Sequence, residues 1–182
     1  MGKLFCILGK SGVGKSTIEK ELENQGLKRI ISYTTRKPRE SEIDGDTYWF
    51  VSDMIFNTYL SQNQFCEIAE YNNWRYGTNK NDIKLETGNY IKVVNPEGYR
   101  QLIDGLGREN VVGIYLTVDD KKRLLRALNR EQYPMCDEIC RRFTADIELF
   151  KGIGEEVDLV LENEKVFDVV ECIMDYIEKV SV

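Results

Sequence analysis

The sequence of 182 residues contains no histidine. Ser-His-Asp triads, Cys-His dyads, histidine metal sites and histidine general bases are therefore excluded. Any chemistry must rest on carboxylates, lysine, arginine, hydroxyls, backbone amides or a metal ion held by oxygen atoms. No apolar run approaches the ~20 residues that a membrane-spanning helix requires, so we expect no membrane partner.

The chain is also poor in signals for zinc or disulfide bonds. Its cysteines include no Cys-x-x-Cys pair, and there is no histidine to complete a zinc site. Their number is odd, and no secretory signal precedes the first predicted strand. We therefore expect reduced thiols and a cytoplasmic location. The five cysteines are Cys6, Cys66, Cys136, Cys140 and Cys172.

The composition is that of an acidic globular protein. Lysine and arginine number 25 against 31 aspartate and glutamate residues, which gives a net charge of −6. Such a surface argues against nucleic acid as a partner. Hydrophobic residues make up 42% of the chain, so it can fold as one domain over residues 1–182. Nothing in the sequence predicts an oligomeric state.

One nine-residue segment, GKSGVGKST at residues 9–17, matches the pattern G-x-x-x-x-G-K-[ST]. Glycines let successive backbone N–H groups turn toward a phosphate, and a following helix adds its dipole. The lysine can reach the β- and γ-phosphates, and the Ser16 hydroxyl can ligate Mg²⁺. The pattern predicts a nucleoside triphosphate site formed by Gly9, Lys10, Ser11, Gly12, Val13, Gly14, Lys15, Ser16 and Thr17.

Strand and helix patterns alternate on both sides of this segment. Alternation of this kind predicts an α/β fold of the P-loop NTPase type, with a parallel sheet flanked by helices. The helix after the loop is predicted to span Ile18–Gln25. The predicted strands are Lys3–Leu8, Lys28–Ile31, Tyr90–Val94, Val111–Leu116 and Leu159–Leu161.

The predicted core is residues 1–31, 88–125 and 143–182. Residues 32–87 form a small mixed α/β insertion in this prediction. It contains a strand at Phe65–Tyr71, a turn at Asn72–Asn73, and a helix that Ser52 or Asp53 caps.

Two further helices are predicted, one capped by Asp119 and running through Arg130, the other over about 136–151. The second helix carries an apolar stripe at helical spacing. The stripe consists of Ile139, Phe143, Ile147 and Phe150.

A GTPase is disfavoured, because Asn79–Asp82 fits its Asn-Lys-x-Asp signature only by letters and follows a loop. The insertion instead carries phosphate-binding chemistry of its own. Arg36 and Arg39 can clamp a second phosphate. Glu67, among apolar neighbours, can accept hydrogen bonds from a guanine edge, and the tyrosines Tyr48 and Tyr76 supply hydroxyl donors.

In these motifs the chain resembles the guanylate kinase family. That family combines a P-loop with Ser-x-Thr-Thr-Arg-x-Pro-Arg (here Ser32–Arg39), Glu-x-Asp-Gly-x-x-Tyr-x-Phe-Val (here Glu42–Val51), Phe-x-Glu (here Phe65–Glu67) and Tyr-Gly-Thr (here Tyr76–Thr78). The resemblance covers essentially the whole chain in colinear order. It implies transfer of the γ-phosphoryl group of ATP to GMP, and in this chain also to dGMP, with Mg²⁺ bound through Ser16.

Further roles come from the resemblance, residue by residue. Ser32 and Glu67 would face the guanine, with Thr78 near the base. Arg36, Arg39, Tyr48 and Tyr76 would hold the GMP phosphate. Asn163 falls near the family's adenine-side loop. The resemblance also implies a helical lid at about 126–142. The groups implied in catalysis are Lys15 and three lid arginines, Arg126, Arg130 and Arg142, with Arg141 the alternative to the last.

The family's Asp-x-Asp pair is absent. Val93 and Asn95 stand in its place, and Glu97 stands where the family has glutamine. Two interpretations follow: a divergent guanylate kinase, or a kinase of the same fold that acts on another nucleotide or a sugar phosphate. A non-catalytic binding module of this fold is a third, and the complete P-loop argues against it.

Overall fold

The computed structural model describes residues 2–39, 42–71, 73–130 and 133–180. The strands of its main sheet are β1 (Leu4–Gly9), β2 (Lys28–Arg29), β7 (Tyr90–Val93), β8 (Val111–Thr117) and β9 (Leu159–Glu162). This sheet is parallel throughout and has the strand order β2-β7-β1-β8-β9.

Helices cover both faces of this sheet, as the sequence predicts. They begin and end within two residues of most of the predicted positions. The helices are α1 (Lys15–Asn24), α2 (Asp53–Ser61), α3 (Pro96–Leu106), α4 (Asp120–Leu128), α5 (Cys136–Leu149) and α6 (Val166–Val180).

Strand β1 lies at the centre of the sheet and is buried over its whole length. Its side chains alternate between two cores. Phe5 and Ile7 pack toward α1 and α6, in the cluster that includes Ile18 and Ile173. The alternate residues of β1 join a second cluster with residues of α3 and with Cys66. Burial on both faces fixes the carboxyl end of β1, where the phosphate loop begins.

A second sheet lies within residues 33–79, in the order β4-β3-β6-β5. Its strands are β3 (Tyr33–Thr34), β4 (Trp49–Phe50), β5 (Phe65–Tyr71) and β6 (Trp74–Asn79). Ser52 caps α2, because its Oγ accepts a hydrogen bond from the Ile55 amide at 3.3 Å. Of the predicted turn, Asn73 has a φ of 62°, while Asn72 lies outside the described residues.

The structure corrects the two helices predicted for the lid. Helix α4 is capped by Asp119 as expected, but it ends at Leu128, so Arg130 lies beyond it. Helix α5 does not bury the predicted apolar stripe throughout, since Ile147 is 60% exposed and Asp146 is buried instead. The acid occupies the inward position because it has a buried cationic partner, described below.

All five cysteines are free, and Cys6 and Cys66 are buried. Burial raises the pKa of the Cys66 thiol to about 11. Across the described ranges of the chain, no helix combines the length and apolar character needed to cross a membrane.

Candidate active site

The phosphate loop connects β1 to the first turn of α1. Gly12 and Gly14 have φ angles of 78° and 102°, which favour glycine. A Cβ on Gly14 would also lie 2.6 Å from Nδ2 of Asn163. Gly14 therefore lets the loop approach Asn163 closely. The backbone N–H groups at the α1 N-terminus are available to an anion.

Lys15 reaches back over the loop. Its Nζ donates to the carbonyl oxygens of Gly9 at 2.6 Å and Lys10 at 3.2 Å. Burial lowers the pKa of Lys15 to about 8, against the opposing effect of the Asp146 carboxylate. A phosphate bound at the loop would place negative charge beside Lys15 and so favour its charged form, which burial disfavours.

A buried ion pair supports the loop from behind. The guanidinium of Arg123 lies 3.3 Å from Oδ2 of Asp146, and both side chains are almost fully buried. Both also bind the backbone of Ser11: its amide donates to Asp146 at 2.7 Å, and its carbonyl accepts from Arg123 at 2.8 Å. The guanidinium stacks on the Phe143 ring at 4.2 Å. The pair therefore fixes the loop relative to α4 and α5.

Sequence reasoning missed this pair. A signal was available, because Asp146 continues the spacing of Ile139, Phe143 and Phe150 on α5. An acid in phase with an apolar stripe predicts a buried partner. Arg123 is one of seven bases within residues 121–142, and only the packing of α4 distinguishes it from the others.

A cavity of about 560 Å³ opens over the loop and the start of α1. Arg126, Arg130 and Arg142 line it together with Lys15 and Ser16. The structure therefore brings the three predicted lid arginines to the predicted phosphate loop, although they come from α4, the segment after it, and α5.

Two of the predicted groups also hold the loop. Arg126 donates to the carbonyl oxygens of Val13 at 3.2 Å and Asn163 at 3.0 Å. Asn163 is buried, and its Nδ2 donates to the Val13 carbonyl at 2.8 Å. Its Oδ1 has no hydrogen-bond partner among the described residues. Asn163 therefore supports the loop through its hydrogen bond to Val13, and it is not among the residues that line the cavity.

Arg141 and Arg142 point to different places. Arg142 lines the cavity, and its Nε donates a hydrogen bond to the Glu138 carboxylate at 2.7 Å. Arg141 instead stacks on the Tyr71 ring at 5.3 Å, and it also bonds Glu138 and the Tyr71 hydroxyl. These cations hold the pKa of Glu138 far below its usual range. The described geometry therefore favours Arg142 over Arg141 as the cavity arginine.

A second cavity, of about 320 Å³, lies between the loop and the insertion. Ser32, Tyr48, Glu67 and Tyr76 line it, as do Lys15 and Ser11 of the first cavity. The two cavities therefore meet at Lys15. Glu67 is buried, and it accepts a short hydrogen bond from the hydroxyl of the buried Thr78.

The predicted pair Arg36 and Arg39 is not in this second cavity. Both line a neighbouring cavity of about 470 Å³ on the insertion. Arg36 is buried, stacks on Tyr48 at 5.5 Å, and forms a bidentate pair with Glu42 at 2.6 and 2.9 Å. Hydrogen bonding to Glu42 raises the pKa of Arg36. The structure thus positions Arg36 beside Tyr48 through a carboxylate that was assigned no role from the sequence.

Lys92 is a further cavity residue that sequence reasoning missed. It lies on β7, is buried, and donates from Nζ to Oγ of Ser32 at 2.5 Å. Its Nζ is 3.9 Å from Oε2 of Glu67. The signal was present, because a lysine within the apolar strand Tyr90–Val94 requires a partner. Asn95 also lines the cavity, and its Oδ1 caps α3 by accepting from the Gly98 amide at 2.7 Å.

Taken together, the parallel sheet, the phosphate loop and two cavities that meet at one lysine define a P-loop phosphotransferase of the nucleoside monophosphate kinase class. A family model described as guanylate kinase matches residues 1–180. The chain belongs to the guanylate kinase family.

Individual relatives agree with this assignment. The chain is 36% identical to a guanylate kinase of Malacoplasma penetrans, over 90% of this chain and 86% of the relative. It is 33% identical to one of Thermobifida fusca, over 92% and 86% of the two chains. A guanylate kinase crystal structure from Anaplasma phagocytophilum aligns with a TM-score of 0.74 at 20% identity, over 98% of this chain and 85% of that one. The last likeness shows the fold.

The buried ion pair gives a stability prediction. We expect Asp146→Ala to lower the free energy of unfolding by about 3 kcal/mol, because it leaves a buried guanidinium without its partner. Asp120→Ala is the matched control: Asp120 pairs with the same Arg123 at 2.9 Å but is 78% exposed, so we expect a loss below about 1 kcal/mol. Urea denaturation of both variants measures the difference, and equal losses would contradict the role given to the buried pair.

Proposed function

We propose that this protein transfers the γ-phosphoryl group of ATP to GMP, and to dGMP, to give ADP and the corresponding diphosphate. The observation that carries the proposal is that Lys15 and Ser11 line both cavities. A donor and an acceptor bound in the two cavities would place their phosphates side by side at one ammonium group. This arrangement supports direct transfer between two bound nucleotides.

The 560 Å³ cavity is the proposed ATP site. Residues 9–17 would bind the phosphates through backbone N–H groups, the α1 N-terminus and the Lys15 ammonium. Arg126, Arg130 and Arg142 would neutralise the charge that develops on the transferred group. Asn163 is proposed on the adenine side, and its contact with Val13 gives it a supporting role for the same loop.

Mg²⁺ fits this site as an ion bound mainly by nucleotide phosphates. The described residues offer no cluster of three or more cysteine and carboxylate side chains for a metal ion. Mg²⁺ ordinarily keeps several waters and takes one or two protein ligands beside substrate phosphates. The exposed Ser16 hydroxyl beside Lys15 can serve as that ligand. The bound ion would neutralise the phosphates and orient them.

The 320 Å³ cavity is the proposed acceptor site. Ser32 and Glu67 would bind the base, with Thr78 holding the Glu67 carboxylate. Tyr48 and Tyr76 would donate to the acceptor phosphate.

The two arginines would reach the same phosphate as the insertion closes over the core. Arg36 already stacks on Tyr48, which places it beside one of the proposed phosphate-binding hydroxyls. Arg39 shares its cavity. In this proposal, residues 32–87 and the lid at about 126–142 move against the core and exclude water.

A coupled assay of ADP release tests the proposal. Purified protein with ATP and Mg²⁺ receives GMP, dGMP, AMP, UMP or CMP in parallel. We expect turnover with GMP and dGMP at least about 100-fold above the other three, since unpaired polar groups reject a mismatched base. ATP binding without turnover on any of the five nucleotides would overturn the assignment and favour a sugar phosphate acceptor or a binding module.

The pKa of Lys15 gives a second prediction. Because Lys15 loses its proton near pH 8, we expect ATP affinity to be nearly constant from pH 7 to just below 8. It should then fall by at most about tenfold per pH unit toward pH 9.5. Binding near pH 8.5 should be accompanied by proton uptake, measurable by calorimetry in two buffers of different ionisation enthalpy.

Lys15→Arg is the matched control, because arginine stays charged across this range. Its ATP affinity, whatever its absolute value, should show no fall between pH 8 and 9.5. A wild-type affinity that is flat over the same range would contradict the lowered pKa.

The orientation of the two neighbouring lid arginines gives a third prediction. We expect Arg142→Ala to lower kcat by at least about 100-fold, because it removes a cation from the phosphoryl cavity. Arg141→Ala removes the same charge one residue away, outside the cavity, and should lower kcat by less than about fivefold. Steady-state kinetics with GMP decide, and a larger loss for Arg141→Ala would reverse the assignment.

A further inference from the structure

We propose that Lys92 is a specificity-determining residue of the acceptor site, which fixes Ser32 as a hydrogen-bond donor to the 6-oxo group of a purine. This inference rests on the proposed function and concerns which base the acceptor cavity accepts. It assigns a role to a buried cation that the guanylate kinase motifs do not include.

The position of Lys92 in the sheet requires an explanation. The side chains of Tyr90 and Lys92 in β7, and of Val94 just after it, lie on one face of the sheet. Leu4, Cys6 and Leu8 of the neighbouring strand β1 lie on the same face. That face is an apolar core, and Lys92 itself is 4% exposed. A buried ammonium is costly unless it is paired and hydrogen-bonded. A leucine would suit the core better, so the lysine points to a role in the cavity it lines.

The chemistry of the ammonium fixes the direction of one hydrogen bond. A protonated lysine has three donors and no acceptor. In the 2.5 Å contact between Lys92 and Ser32, the Ser32 oxygen must therefore be the acceptor. Its own hydroxyl proton is then directed away from Lys92 and is available to a ligand in the cavity. The charged neighbour makes Ser32 a stronger donor and a weaker acceptor.

Glu67 supplies the opposite polarity beside this donor. Its Oε2 is 3.9 Å from the Lys92 ammonium and accepts from Thr78. An ionised carboxylate only accepts hydrogen bonds. The cavity therefore presents a donor, Ser32, next to an acceptor, Glu67, and Lys92 contacts both.

This pattern distinguishes purines by the group at position 6. Guanine and hypoxanthine carry an acceptor oxygen there next to a ring N–H donor, whereas adenine carries a donor amino group next to a ring acceptor. A 6-oxo purine is complementary to Ser32 and Glu67. An adenine edge would set donor against donor and acceptor against acceptor, which leaves buried polar groups unpaired.

The same geometry provides base selectivity in a cavity that lacks the family's two aspartates. With Val93 and Asn95 at those positions, Glu67 is the acidic residue that lines the cavity's base side, along with Asp146 on the loop side. Selectivity then depends more on the donor at the 6-oxo group, and Lys92 is the residue that sets this donor.

The test is the selectivity of Lys92→Met, which keeps the chain length and removes the charge. Values of kcat/KM are measured with GMP, IMP and AMP at saturating ATP. We expect the preference for GMP over AMP to fall by about 10- to 100-fold, mainly through a higher KM for GMP, with a parallel loss for IMP. Lys28→Met on the neighbouring strand β2 is the matched control, since Lys28 is exposed and bonds Thr87. It should leave all three values unchanged.

A double-mutant cycle separates this role from simple packing. If Lys92 acts through Ser32, then Ser32→Ala should lower the GMP preference in the wild type but change it by less than about twofold in the Lys92→Met background. Affinity for ATP should be unchanged in all variants. Additive losses of selectivity, or an unchanged GMP to AMP ratio in folded Lys92→Met, would overturn the inference.

Two further outcomes are informative. If Lys92→Met does not fold, as judged by circular dichroism, Ser32→Ala alone decides, and an unchanged GMP to AMP ratio in that variant would overturn the inference. If the wild type phosphorylates neither GMP nor IMP, the proposed function itself fails. Robust GMP turnover together with a selectivity that is insensitive to Lys92 would overturn the Lys92 inference alone.

Discussion

The active site depends on the buried contact between the Arg123–Asp146 pair and the backbone of Ser11. The phosphate loop itself has few side chains that could hold it in place, and glycine provides freedom at Gly12 and Gly14. Two opposite charges, buried behind the loop, accept from the Ser11 amide and donate to its carbonyl. Each buried charge would be costly without the other, so the two side chains stay paired. Their hydrogen bonds to Ser11 then hold the loop in place. The loop therefore has a defined shape before any phosphate arrives.

The same principle recurs around both cavities. Three of the cations that face a proposed nucleotide site have a carboxylate neighbour: Arg36 has Glu42, Arg142 has Glu138, and Lys92 has Glu67. These pairs hold long, flexible side chains near the positions where phosphates and a base would bind, and they limit the like-charge repulsion of several cations in a small space. The cavity over the phosphate loop is nevertheless locally cationic in a protein with a net charge of −6, because, among the described residues, Lys15 and three arginines line it with one acid, Glu138.

The acceptor side shows how a substitution in a core strand can change the chemistry of a cavity. Lys92, Val93, Val94 and Asn95 are successive cavity-lining positions at the end of β7 and just beyond it. Asn95 caps the following helix α3, and the Val93 amide donates to the half-buried Glu19 carboxylate at 3.1 Å. The polar groups at this strand end are thus used for local structure, with the Lys92 ammonium directed to Ser32 and Glu67. In the proposed acceptor site, base recognition would correspondingly depend less on carboxylates and more on an oriented hydroxyl.

Several features follow from the sequence alone. The glycine pattern at residues 9–17, the order of strands and helices, and the apolar neighbours of Glu67 all depend on local spacing. Short-range physics is sufficient to predict them.

Tertiary structure decided the rest: that Arg142 and not Arg141 lines the phosphate cavity, that Asp146 replaces Ile147 on the inner side of α5, and that Lys92 bonds Ser32. Asp146 and Arg123 are 23 positions apart in the sequence, and Asp146 and Ser11 are 135 positions apart. Such residues come together only when the helices pack on the sheet. Periodicity shows which positions face inward, whereas the geometry of packing determines which charged groups meet there.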